Sequence, residues 1–128
     1  MSARFLIDSV ILIDHFNGFK KATEWLASLT EGEAVISSIT RAEVLSGADE
    51  KEFHLVLDML NSYECLAVNE KTADLAAELR RNNRWKLPDA FQAALSIQSR
   101  LKLVTRNRKD FDPEKHHFVF IPYKIVSE

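Results

Sequence analysis

The stretch Arg4-Phe5-Leu6-Ile7-Asp8-Ser9-Val10-Ile11-Leu12-Ile13-Asp14-His15-Phe16 decides the fold class. Its short apolar run stops at Asp8 and Ser9, which reads as a buried strand ending in a polar turn. Ile11, Leu12 and Phe16 then suggest a short helix. The same alternation recurs outward from this unit. Lys20 to Leu29 carries Ala22, Trp25, Leu26 and Leu29 at helical spacing, and Ala34 to Ile36 reads as a second strand. Ser38 to Gly47 and Phe53 to Leu60 repeat the helical pattern, with Gly47 as a stop signal. Tyr63 to Val68 reads as a strand, and Asn69 is placed to cap a long helix that frays near Asn82 and Asn83. Leu87 is biased towards extended backbone by Pro88, which itself suits the first turn of a helix containing Ala90, Phe91, Ala94 and Ile97. Leu101 to Thr105 and Phe118 to Ile121 are the remaining strand candidates. The expected class is α/β, a central and mostly parallel sheet flanked by helices on both faces. Such sheets hold their sites outside the carboxyl ends of their strands.

The 128 residues include 46% hydrophobic side chains, with 17 Lys plus Arg against 19 Asp plus Glu. These numbers describe one globular domain, and a chain of this size buries roughly 65 to 70% of its unfolded surface without needing a staple. Cys65 is the single cysteine and no basic leader precedes an apolar run, so a reducing cytoplasm is the expected location. No apolar run approaches the ~18 residues needed to span a bilayer, which excludes a membrane role. Cys65 itself, in an apolar segment, is expected to be a buried thiol.

The informative acids sit in apolar company. Asp8 ends the first strand, Glu43 lies between Ala42 and Val44, and Asp89 precedes Ala90 and Phe91. Gaps of 35 and 46 residues mean that the three meet only through tertiary folding. If they meet, their repulsion calls for a hard divalent cation such as Mg²⁺ or Mn²⁺, because these ions favour carboxylate oxygens. Each acid has a plainer role available. Thr40 and Glu43 fit a Thr-x-x-Glu capping box, Asp89 complements a helix dipole, and Asp8 caps the helix after it. His15, His54, His116 and His117 lack zinc-like spacing and, if His116 and His117 lie on a strand, they face opposite ways.

Four segments in order carry a resemblance. Leu6-Ile7-Asp8-Ser9 with its apolar continuation, Ile36-Ser37-Ser38-Ile39-Thr40-Arg41-Ala42-Glu43-Val44-Leu45-Ser46-Gly47, Pro88-Asp89-Ala90-Phe91-Gln92-Ala93-Ala94, and Leu103-Val104-Thr105-Arg106-Asn107-Arg108-Lys109-Asp110-Phe111 are similar to the motifs of the PIN-domain ribonucleases. The compact Ser-Ser-Ile-Thr-x-x-Glu form resembles the VapC toxins of type II toxin–antitoxin systems. The resemblance implies a single PIN-like domain over residues 1–128 that cleaves RNA with Mg²⁺ or Mn²⁺ and is inhibited by a cognate antitoxin. It also implies a cytoplasmic homodimer. By position, Asp8, Glu43 and Asp89 match the metal-binding acids, and Thr105 would orient water or a ligand carboxylate. Asp110 falls on an acid that often precedes Phe, whereas Asn107 stands where many relatives have Asp. Either could supply the fourth position. Val10 replaces an Asn that many relatives carry two residues after the first Asp.

The net charge of -2 argues against a uniformly basic nucleic-acid binder, but the charge is unevenly distributed. Residues 80 to 109 hold nine basic residues against Asp89 alone, a balance of +8 that leaves -10 for the remainder. Arg84, Lys86, Arg106, Arg108 and Lys109 are therefore candidates for an RNA-binding rim around an acidic centre. Trp85 among them could stack on a base, or pack into the core or a dimer contact, with packing preferred. Two other readings remain. A phosphatase-like α/β domain would use Asp8 as nucleophile, although Val10 breaks its Asp-x-Asp pattern. A catalytically weak PIN-like RNA-binding module would be consistent with Asn107.

Overall fold

The computed structural model describes residues 3–125. Strands β1 (Phe5–Ile7), β2 (Ala34–Ser37), β3 (Glu64–Leu66), β4 (Lys102–Val104) and β5 (Val119–Phe120) form one sheet in the order β3-β2-β1-β4-β5. Every neighbouring pair is parallel, so the expected mostly parallel sheet is wholly so. Between the strands run α1 (Ser9–Phe16), α2 (Lys20–Ala27), α3 (Ser38–Ser46), α4 (Phe53–Asn61), α5 (Glu70–Asn83) and α6 (Leu87–Ser99). None of the described helices is long and apolar enough to cross a membrane.

Strand alternation sorts the core onto two faces. Phe5, Ile7, Ala34, Ile36 and Val104 meet Ile11, Leu12, Leu26, Val44, Val56 and Leu60, which come from α1 to α4. Leu6, Val35 and Leu103 point the other way, into a cluster with Trp85, Ala93, Leu95, Phe111 and Phe118. Burial on both faces explains why the inner strands read as continuous apolar runs. The order of the sheet also locates a crevice. From β1 the chain moves outward through β2 and β3, then returns to β4 on the opposite side of β1. The carboxyl ends of β1 and β4 thus flank a reversal of strand order, where open α/β sheets bind their ligands.

Three local expectations change, and the expected end of the long helix near Asn82 and Asn83 acquires a cause. Cys65 is exposed, because β3 is an edge strand paired only with β2 and its outer residues are uncovered. His116 and His117 lie in a turn before β5 rather than on a strand. Leu87 is helical, and the extended residue before the proline-bearing turn is Lys86, with ψ 152. Helix α5 ends at Asn83 because Arg84 adopts a left-handed conformation, φ 58. Asn69 caps α5 as expected, accepting from the Thr72 amide at 2.9 Å.

Candidate active site

Asp8 is the first residue after β1, and its extended backbone lets it cap α1 by accepting from the Ser9 amide at 2.9 Å. Capping and a place in the crevice are therefore compatible. Thr105, the first residue after β4, donates to the other Asp8 oxygen at 2.8 Å. The Gln92 amide donates to Oδ1 at 3.2 Å. Burial pushes the Asp8 carboxyl above the usual carboxylate range, against the downward pull of these three hydrogen bonds.

The other acids arrive from separate helices and a loop. The N-cap of α3 is Ser37, whose Oγ accepts from the Thr40 amide at 3.0 Å. Thr40 therefore lies inside the helix, the Thr-x-x-Glu box does not form, and Glu43 has no capping duty. Asp89 sits in the first turn of α6, where the helix dipole favours it. Burial nevertheless pushes its carboxyl up to about 6, reinforced by the charges of Asp8, Asp110 and Glu43, with Lys86 pulling back. All four acids line one cleft of about 610 Å³, together with Lys86, Arg106, Asn107, Arg108 and Lys109. Among the described residues no three His, Cys, Asp or Glu side chains form a ready metal cage. The oxygen-rich, mutually repelling lining still suits a hard divalent ion, since Mg²⁺ keeps several waters and takes only one or two protein carboxylates directly.

The loop after Thr105 is held from behind. Asn107 donates through Nδ2 to Asp110 at 2.9 Å, so the pair acts as one clamped unit facing the cleft. Trp85 is buried, donates from its indole to the Asp110 carbonyl at 2.9 Å, and packs its ring 4.9 Å from Phe111. It supports the loop and offers no face to a base. Arg106 lines the cleft but turns its guanidinium to Asp14, with Nε 2.5 Å from Oδ2 and Nη2 3.1 Å from Oδ1. Arg84 is not among the cleft-lining residues, which leaves Lys86, Arg108 and Lys109 as the rim the basic segment contributes.

Sequence reasoning missed four buried polar residues that organise this end of the sheet. Gln92, Ser37 and Thr40 are joined by side-chain hydrogen bonds, and Asp14 binds both Arg106 and the Tyr123 hydroxyl, the latter at 2.8 Å. Burial and the Asp14 carboxylate push the Tyr123 hydroxyl up. The available signal was a polar residue inside an otherwise apolar helical run, as with Gln92 beside Ala90, Ala93 and Ala94.

Comparison with known proteins gives consistent results. The chain matches the family model for the PIN domain over residues 5–112. Ribonuclease VapC10 of Mycobacterium tuberculosis is 32% identical over 108 residues, which cover 80% of this chain and 81% of that protein. A chain from a toxin-antitoxin complex of Klebsiella pneumoniae matches with TM-score 0.84 and 35% identity, over 97% of this chain and 100% of its own. VapBC2 from Rickettsia felis, solved with a DNA fragment from its promoter, shares the fold at TM-score 0.68 and 23% identity, over 94% and 98% of the two chains.

Proposed function

The chain belongs to the PIN domain family, and from that premise we propose that it is the toxin of a type II toxin–antitoxin pair, an endoribonuclease acting through Mg²⁺ or Mn²⁺. The observation that carries this reading is the convergence of Asp8, Glu43, Asp89 and Asp110, from four separate segments, on one cleft rimmed by cations. Asp8, Glu43 and Asp89 are the residues that would hold the ion, with the Asn107–Asp110 pair at the fourth position. When bound, such an ion polarises the scissile phosphate and makes an attacking water more acidic. Asp8 is kept in one orientation by Thr105, Gln92 and the Ser9 amide. Lys86, Arg108 and Lys109 hold the phosphates on either side of the cut. Residues 1–128 form one catalytic domain in this reading, working in the cytoplasm as a homodimer.

Inhibition by a cognate antitoxin is supported by apolar surface away from the cleft. Helices α1 and α4 leave Ile13, Phe53 and Leu55 exposed, and Ile13 borders a groove of about 220 Å³ with Phe16, Val44 and Val56. The Klebsiella relative was solved in a toxin-antitoxin complex.

The test is cleavage of cellular RNA by purified protein in EDTA and after addition of Mn²⁺ or Mg²⁺, with Asp8→Asn as control. Metal-dependent cleavage by the wild type alone is expected. Equal cleavage by folded Asp8→Asn sinks the proposal, and hydrolysis of an aryl phosphate instead of RNA favours the phosphatase reading.

A further inference from the structure

Gln92 is 1% exposed on the buried side of α6, among Ala90, Ala93, Ala94, Leu95 and Ser96. An unpaired amide in such a place costs roughly 1 to 3 kcal/mol, so its partners decide whether it is tolerated. Every polar atom of Gln92 has one. Ser37 donates from Oγ to Oε1 at 2.6 Å, while Nε2 donates to Thr40 Oγ1 at 2.6 Å and to Asp8 Oδ1 at 3.2 Å. Both hydroxyls have further partners in the same network. Thr40 donates to the Ile7 carbonyl at 3.2 Å, and Ser37 Oγ accepts from the Thr40 amide at 3.0 Å.

This pattern permits only one orientation of the amide. Turned over, Gln92 would set its carbonyl oxygen against the Asp8 carboxylate and give up the bond it accepts from the Ser37 hydroxyl. The network therefore spans four elements: the ends of β1 and β2, the first turn of α3 and the buried face of α6. Together with Thr105 on Oδ2, it fixes both oxygens of Asp8 using neutral donors. A cation in the place of Gln92 would compete with a metal for the same charge; an amide orients the carboxylate and leaves its charge available.

We propose that Gln92, locked by Ser37 and Thr40, is a positioning residue that aims the Asp8 carboxylate into the cleft for a divalent cation. This rests on the metal-dependent reading above. Removal of an outer-shell partner of this kind lowers metal affinity by about 10- to 100-fold. The side chain lies behind Asp8 and does not line the cleft, so RNA affinity is expected to be unchanged.

The experiment measures Mn²⁺ binding without RNA, by calorimetry or electron paramagnetic resonance, for wild type, Asp8→Asn, Gln92→Met and Ser37→Ala. Melting curves in EDTA check that each is folded. Gln92→Met keeps the length of the side chain but has no amide, and it should lose Mn²⁺ affinity about 10- to 100-fold with a parallel fall in kcat and an unchanged KM for RNA. Ser37→Ala leaves Gln92 in place and removes the hydroxyl that bonds its Oε1, together with the side-chain cap of α3, whose loss the melting curves in EDTA register. Its Mn²⁺ affinity should fall by a smaller factor, about 3- to 10-fold. Wild-type affinity in either folded variant overturns the positioning role while leaving the metal reading intact. Failure of the wild type to bind Mn²⁺, or equal binding by Asp8→Asn, overturns both.

Discussion

Asp8 and Asp14 stand at opposite ends of α1, each only 7% exposed, and their surroundings differ in one respect. Asp14 has a cation, Arg106, together with the Tyr123 hydroxyl. The hydrogen-bond donors to Asp8 are all neutral: the Ser9 amide, Gln92 and Thr105. Both carboxylates are thus oriented, but only Asp14 is also neutralised. A buried carboxylate with an internal cation is a structural fastening, here tying the loop after β4 and the segment after β5 to α1. A buried carboxylate without one is costly to the fold and suited to an external cation.

The largest expected difference is in catalysis. Asp8→Asn should reduce RNA cleavage to background with the fold retained, whereas the folded fraction of Asp14→Asn should still cleave, as measured by mapping cut ends. Equal losses would break the comparison. Next in size is stability. Asp14→Ala removes the carboxylate that Arg106 and Tyr123 share, and urea unfolding should show a loss of about 2 to 3 kcal/mol, less than for a fully buried pair because Arg106 is partly exposed.

Asp89 extends the contrast to pH. Its carboxyl is raised from 3.8 to about 6 in the folded protein, so between those values the folded state binds more protons than the unfolded chain. Stability from this group is therefore present below pH 4, falls as the pH rises, and is fully lost above about 6. Asp89→Asn in EDTA should accordingly stabilise the protein at pH 7 by on the order of 1 kcal/mol, after allowance for solvent screening of a half-exposed group. Thermal melts at pH 4 and pH 7 check this, and an equal effect at both values would remove the electrostatic explanation. The smallest effect is a control remote from both aspartates. Arg100 ends α6 with φ 56, a left-handed conformation that favours glycine. Arg100→Gly should add about 0.5 kcal/mol to stability, measured by urea unfolding, and leave RNA cleavage unchanged.

The legible part of the site was the set of acids ending apolar segments. Asp8 and Asp89 could be picked out because a charge next to Leu6-Ile7 or Ala90-Phe91 is locally anomalous. Glu43 was ambiguous between capping and the cleft until the start of α3 was known, since a shift of three residues in the N-cap from Thr40 to Ser37 decides it. The basic segment was legible as charge but not as geometry. Lys86, Arg108 and Lys109 reach the cleft, Arg84 does not line it, and Arg106 turns to Asp14. Trp85 illustrates the same limit, because its side chain packs on Phe111 and bonds the Asp110 carbonyl although its sequence neighbours are cations.

What the sequence determined by itself was the alternation of apolar strands and amphipathic helices, hence a parallel sheet covered on both faces, and the singling out of Asp8 and Asp89 as anomalous acids. Those follow from periodicity and from the cost of burying charge, which act over a few residues at a time. Tertiary structure decided which carboxylate received a cation and which received an amide. Gln92 and Asp8 are 84 residues apart, and Arg106 and Asp14 are 92 apart. Hydrogen-bond partners at such separations are selected by how the helices pack on the sheet, because each buried polar group must be satisfied by whatever that packing brings within about 3 Å.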